Sequence, residues 1–276
     1  MQVYFYAKSG HTIGLDATKR CSAVATILKD LDPILCTSDF RAGAYAKELF
    51  DVRRYVNIDV VRNLHNIMAR KDILLHDTDE TNELMEDGMS EFCSLVFNLK
   101  EFDIIVDTSI YTKNDNPNLE KTIFFGDDDY DELFLEDVKN SGNFDMNLLM
   151  GHYFFLGNEK YFAQHFSNVI DEEEYVETIN NSKYILTGSL QTALESIACG
   201  NKPVLFRREV KTYNEELISK LNLPVIETKS LEETIKEFDG ICENYPEIKN
   251  FKISDLSSIK EQITAKIEAF SKLTQG

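Results

Sequence analysis

The sequence lacks any apolar run that approaches the roughly 20 residues of a membrane-spanning helix, and its first residues lack the basic start of a signal peptide. It also lacks paired cysteine spacing, because its 5 cysteines include no C-x-x-C motif. Its 5 histidines show no H-E-x-x-H spacing. We therefore expect a cytoplasmic protein with reduced thiols, without a disulfide framework, a bound metal, another cofactor or a membrane span.

Positive charge is scarce. The chain has 29 Lys and Arg against 48 Asp and Glu, a net charge of −19. A field of that sign repels nucleic acid and anionic lipid. The composition therefore excludes nucleic-acid partners in practice, and it favours a soluble or protein-borne partner over a membrane-surface one.

Strand and helix patterns alternate along the chain, which predicts parallel sheet covered on both faces and an α/β fold. A long helix is expected near residues 82–99. The expected strands of the first half are 3–7, 34–36, 55–58, 72–75, 104–106 and 122–125.

Acidic residues follow three of these strands: Asp77 with Asp79, then Asp107, then the run 127–129. The carboxyl ends of parallel strands share one edge of a sheet, so these acids could converge on one ligand. Alternatively they are turn formers and helix caps, for which Asp is also favoured.

The most informative segment is residues 183–206, which reads as strand, tight turn, helix, turn and strand. Gly188 and Ser189 form the first turn. The backbone N–H groups of the helix start, at Leu190, Gln191 and Thr192, attract an anion such as a diphosphate. Glu195 lies on the same helix, where it could reach ribose hydroxyls. The alternative is an ordinary βαβ unit with an exposed Glu.

This segment resembles the donor-binding motif of GT-B-type sugar-nucleotide enzymes, which include UDP-GlcNAc 2-epimerases and the GlcNAc transferase of peptidoglycan synthesis. Ser189 and Glu195 match the residues that hold diphosphate and ribose in that superfamily. The resemblance implies two Rossmann-like domains facing a cleft: an acceptor-side domain at 1–150 and a reduced nucleotide-sugar-binding domain at 151–276.

Weaker similarity to the UDP-sugar hydrolase of pseudaminic acid synthesis extends along most of the chain, at residues 13–20, 104–107, 124–128 and 155–166. It implies substrate-binding roles for Asp107 and Asp127. Two differences stand out. Ala17 occupies the place of the hydrolase's first-loop His, which argues against water attack by that route. The second domain is also expected to be short, without its opening strand–helix pairs.

Two residues near the first strand are candidate catalytic bases. Asp16 could deprotonate an acceptor hydroxyl, or it could simply cap the first helix. His11 is the more conventional proton acceptor near neutral pH, or a surface residue. Ser9 and Gly10, just before it, could bind substrate through backbone N–H groups.

Basic residues at loop ends are candidate anion ligands. Arg20 in the first helix could bind substrate, and Arg207 after the strand at 204–206 could neutralise a leaving diphosphate. The alternative is surface salt bridges of little energetic value.

Together these features favour a GT-B-type glycosyltransferase of surface glycan or flagellar glycosylation, with a UDP- or CMP-linked sugar as donor and a glycan or protein acceptor. A nucleotide-sugar hydrolase and a non-catalytic sugar- or protein-binding relative remain alternatives.

Overall fold

The computed structural model describes residues 1–102, 104–249, 251 and 256–274. The chain divides into two compact units. The first comprises Met1–Val106 and Ile253–Gly276, and the second comprises Asp107–Lys252. The border expected between residues 150 and 151 lies inside the second unit, because strands on both sides of it pair in one sheet.

The first unit contains a five-stranded sheet in the order β3-β2-β1-β4-β5, in which every pair of neighbours is parallel. Helices α1, Asp16–Ile27, α2, Phe40–Phe50, and α3, Glu83–Phe92, connect its strands. The strands are β1, Val3–Ala7; β2, Ile34–Thr37; β3, Tyr55–Asn57; β4, Ile73–Asp77; and β5, Leu95–Asn98.

The central strands β1 and β4 are buried along their whole length, as expected for a parallel sheet with covered faces. Helix α1 packs against β1 and β4. Its N-cap position is occupied by Leu15, which offers no side-chain cap, and Asp16 is the first helical residue. The capping role considered for Asp16 is therefore wrong.

Two elements differ from those expected. The helix expected at 82–99 ends at Phe92, and its last part is the strand β5. The expected strand at 104–106 is irregular backbone. It lies where the chain passes from the first unit to the second, and it pairs with no strand of either described sheet.

The second unit contains a six-stranded sheet in the order β8-β7-β6-β9-β10-β11, again parallel throughout. Counted from its own first strand, this is the 3-2-1-4-5-6 order of Rossmann folds. Its strands are β6, Leu119–Phe124; β7, Phe144–Leu149; β8, Phe166–Ile170; β9, Ser182–Thr187; β10, Lys202–Phe206; and β11, Val225–Ile226.

The expected shortening of the second domain is not found. Its opening strands are β6 and β7, which lie before residue 151, and β8, which lies in a stretch without clear strand periodicity. The helices of this unit are α4, Leu133–Lys139; α5, Glu159–Phe162; α6, Tyr175–Asn181; α7, Leu190–Ala198; α8, Glu215–Leu221; and α9, Leu231–Glu243.

The final helix α10, Leu256–Thr274, returns to the first unit and packs against α1. Among the described helices, none combines the length and apolarity needed to cross a membrane. The prediction of an α/β protein with two parallel-sheet domains is confirmed by the two sheets.

Candidate functional site

The second sheet has its topological switch point between β6 and β9, its first and fourth strands. The chain leaves β6 toward one edge of the sheet and leaves β9 toward the other. Ligands of doubly wound sheets bind outside the carboxyl ends of the strands at such a point. The segments 125–132 and 187–190, which follow these two strands, therefore form the candidate site.

The turn after β9 is tightly built. Ser189 is the N-cap of α7, and its Oγ accepts from the Thr192 backbone N–H at 3.0 Å. The N–H of Gly188 donates to the Phe124 carbonyl at the end of β6 (3.3 Å). A Cβ at Gly188 would lie 2.5 Å from the Phe125 carbonyl oxygen and 2.6 Å from Arg208 Cδ, so no side chain fits there.

Helix α7 holds its polar residues in one buried network. Tyr175 Oη donates to Glu195 Oε2 (2.7 Å) and bonds with Thr192 Oγ1 (2.7 Å), and Gln191 Nε2 donates to Glu195 Oε1 (3.0 Å). Glu195 is only 1% exposed. Its carboxylate already has donors on both oxygens, so it orients Tyr175 and Gln191 within the fold. The alternative of an exposed Glu is wrong.

A buried ion pair joins the loops after β6 and β10. Arg208 donates from one terminal nitrogen to Asp128 Oδ1 (2.9 Å) and from the other to the Asp128 carbonyl (3.2 Å). Lys211 Nζ lies 2.9 Å from the same Asp128 oxygen. The Arg208 guanidinium lies over the Phe125 ring, 3.9 Å from its centroid. Two cations therefore share one carboxylate at the switch point.

Gly126 and Tyr213 make room for this cluster and fix it. Gly126 has φ +141°, and a Cβ on it would lie 2.8 Å from a terminal nitrogen of Arg208. Tyr213 Oη accepts from the Arg208 backbone N–H (3.1 Å) and donates to the Gly188 carbonyl (3.0 Å). These contacts hold Arg208 against Gly126, Gly188 and the start of α7.

Arg207, the arginine singled out from the sequence, has other ionic partners than Arg208. Its guanidinium makes two 2.6 Å bonds to Glu215 and one of 3.1 Å to Glu227. These hydrogen bonds, and more weakly the negative charges of the same carboxylates, raise its pKa. Both arginines lie in the loop after β10, and Arg208 is the one that reaches Asp128.

The acidic run after β6 is buried and structurally engaged. Asp127 Oδ1 accepts from the His152 backbone N–H (3.3 Å), and its carbonyl accepts from Tyr153 (2.9 Å). Asp129 accepts from the Phe134 N–H at 3.0 and 3.2 Å, at the start of α4. Within the described residues, no group of three His, Cys, Asp or Glu side chains is placed to hold a metal.

The candidate residues of the first unit lie at the carboxyl end of β1. Gly10 and Gly14 exchange backbone hydrogen bonds of 3.2 and 2.7 Å that close the turn carrying His11. His11 is exposed and Asp16 is half-buried. Ser9 is buried, and its backbone N–H donates to Ser38 Oγ (2.7 Å). This N–H is therefore already engaged within the fold.

Arg20 and the strand-end acids are distributed over separate places. Arg20 Nε donates to buried Asp77 at 2.5 Å, at the end of β4. Asp107 accepts from the Ser109 N–H (2.9 Å) and Oγ (2.6 Å), in a turn of the second unit. Asp77 and the run 127–129 follow strands of different sheets, so they do not share one sheet edge. Their convergence on one cleft stays a prediction.

No family model matches the chain, and no curated protein matches it significantly. Solved structures are similar to the chain. The UDP-GlcNAc 2-epimerase from Neisseria meningitidis, bound to UDP-GlcNAc, aligns with TM-score 0.50 at 12% identity over 96% of this chain and 100% of its own. A putative UDP-N-acetylglucosamine 2-epimerase from Listeria monocytogenes aligns with TM-score 0.52 at 11% identity over 88% and 89%. These likenesses confirm the GT-B-like fold.

Gly188→Ala tests the close approach at the switch point. The added methyl would meet the Phe125 carbonyl at 2.5 Å, and overpacking of this kind costs about 1–3 kcal/mol. Gly240→Ala in α9 is the matched control, because nothing lies within 4 Å of its Cβ and Ala favours a helix. Denaturant unfolding should show a lower free energy of unfolding for Gly188→Ala and no decrease for Gly240→Ala. Equal stability of the two variants would contradict the packing described.

The buried Asp129 carboxyl should make the free energy of unfolding depend on pH. Burial raises the pKa of its carboxyl to about 7, against the hydrogen bond from Phe134 and the charge of Arg208. The unfolded chain releases this proton near pH 4, so this carboxyl should make stability fall between about pH 4 and 7 and stay level above. Asp129→Asn should remove that decline in thermal unfolding, whereas exposed Asp131→Asn should not. An unchanged slope in Asp129→Asn would refute the prediction.

Proposed function

We propose that the protein is a GT-B-type glycosyltransferase that takes a nucleotide-activated sugar in its second unit and transfers the sugar to a glycan or protein acceptor. The observation that carries this proposal is the buried cation Arg208, which lies beside the start of α7 at the switch point of a Rossmann-ordered sheet. A diphosphate is the ligand chemistry that suits this combination.

The donor site also offers space for a nucleobase. A cavity of about 230 Å³ is lined by Arg207, Arg208 and other polar residues on one part of its wall, and by apolar side chains that include Phe125, Phe206 and Leu231 on the rest. Its size suits a base better than a whole ligand, since complete ligand pockets measure about 300–1,000 Å³. The Neisseria meningitidis epimerase is described as bound to UDP-GlcNAc, so we propose UDP-GlcNAc as the first donor to test.

The proposed chemistry is transfer of the sugar from the diphosphate to the acceptor hydroxyl. Asp16 or His11 takes the proton of the acceptor hydroxyl, whose oxygen forms a bond to the anomeric carbon. The bond from that carbon to the diphosphate breaks, and the diphosphate leaves with the electron pair. Arg208, Lys211 and the backbone N–H groups at the start of α7 stabilise its charge. Glu195 holds the side chains of Gln191 and Tyr175 in position through its two carboxylate oxygens.

A non-catalytic sugar-binding relative is the second candidate. The observation favouring it is the Glu195 carboxylate, whose oxygens are bonded to Tyr175 and Gln191 and would have to exchange these partners to hold a ribose. This candidate predicts stabilisation by the ligand without turnover. Ala17 is buried in the first turn of α1, and nothing at its position supports the hydrolase alternative.

The test removes the Arg208 cation and uses the exposed Arg54 of the first unit as the control. The double variant Arg208→Gln/Asp128→Asn removes the Arg208 cation together with its buried carboxylate partner, while Lys211, whose side chain is 18% exposed, keeps access to water. Arg54→Gln removes an exposed cation far from the candidate donor site in sequence. UDP-GlcNAc and UDP at millimolar concentration should raise the unfolding temperature of the wild type and of Arg54→Gln by several degrees, because ligand binding stabilises by mass action. The double variant should lose this shift.

Activity completes the test. Release of UDP should require both UDP-GlcNAc and an acceptor glycan, and Asp16→Asn or His11→Gln should lower the rate at least a hundredfold with the thermal shift retained. Binding without turnover toward a panel of acceptors would favour the second candidate. Absence of any shift with UDP-, CMP-, ADP- and dTDP-sugars would refute both.

A further inference from the structure

A second cavity, of about 250 Å³, lies in the first unit between α3 and the short 3₁₀ helix Val61–Asn66. It is separate from the residues used in the proposed function. Three methionines line it, and their unbranched thioether side chains adapt to irregular ligands. Its principal apolar lining residues are Leu64, Met68, Leu74, Met85, Met89 and Phe92.

Helix α3 covers the cavity incompletely. Met85, Met89 and Phe92 point toward the core at helical spacing, yet all three are only partly buried. Asn82 fixes the helix start by accepting from the Met85 N–H at 3.0 Å. Gly88 lies on the cavity side of this helix, and nothing stands within 4 Å of a Cβ placed on it. The helix therefore leaves an opening at Gly88.

Two basic residues lie at the rim of the cavity. Arg62 and His65 line it together with the apolar residues. In the part of the chain that the structure describes, no carboxylate lies within ion-pair distance of Arg62. The nearby Asp59 carboxylate accepts instead from Asn63 (2.7 Å) and from the Val60 N–H (2.9 Å). The pKa of Asp59 is lowered mainly by these two hydrogen bonds and least by the charge of Arg62, so the exposed guanidinium can also receive an anionic head group.

We propose that this cavity binds a free medium-chain fatty acid, with its hydrocarbon chain among the methionines and its carboxylate on Arg62. An apolar cavity of 150 Å³ holds benzene, so 250 Å³ corresponds to roughly ten carbons. Arginine provides the planar pair of donors that matches a carboxylate. This inference does not depend on the proposed function.

Isothermal calorimetry with decanoate and 1-decanol separates the two parts of the site. The wild type should bind decanoate about tenfold more tightly than decanol, and Arg62→Gln should remove that preference while leaving decanol affinity within twofold. Equal affinity of the wild type for both compounds, or a preference that survives in Arg62→Gln, would overturn the assignment of the carboxylate to Arg62.

Gly88→Leu tests the location, because the new side chain would occupy the opening. It should weaken binding of both compounds at least tenfold without lowering the unfolding temperature, since Leu favours a helix over Gly. Gly240→Leu, at an equally open position of α9, should bind both like the wild type. Unaltered binding in Gly88→Leu would place the ligand elsewhere. Cosedimentation with phosphatidylglycerol vesicles without decanoate binding would refute the fatty-acid proposal in favour of a lipid surface.

Discussion

The ion pair between Arg208 and Asp128 is the constraint around which the candidate site is built. It connects the loops after β10 and β6 across the end of β9, in a place where neither group is open to water. Leaving one partner of such a pair alone costs about 3–5 kcal/mol, so the surrounding residues must preserve it. Gly126 and Gly188 supply the space, Phe125 supplies a ring beneath the guanidinium, and Tyr213 fixes the backbone.

Local sequence signals predicted the parts of the fold that local physics decides. The β9–turn–α7 segment was predicted because an apolar strand, small turn residues and Gly200 with φ +82° each determine their own geometry. Strands β5 and β8 were missed because β5 continues an amphipathic helical pattern and β8 is a half-exposed edge strand. Each pairs with the preceding strand of its sheet, Leu95 with Ile73 and Phe166 with Phe144, and these separations exceed the window over which hydrophobic periodicity is read.

The same limit applies to the site. The turn at Gly188 and Ser189 could be located, but the partners of each charged side chain depend on register. One residue in the loop after β10 separates Arg207, paired with Glu215 at the surface, from Arg208, buried at the switch point. Because both arginines lie beyond the strand, its period of two did not decide which of them turns inward. Nothing local indicated that Tyr175 would bond to Glu195 and make it a buried positioning residue.

The division of the chain also has a consequence for biosynthesis. The second unit is continuous, whereas the first needs α10, which follows it in the sequence. Domains fold as they emerge during translation. The β6–β11 sheet can therefore form on the ribosome before the side of α1 that packs against α10 is covered.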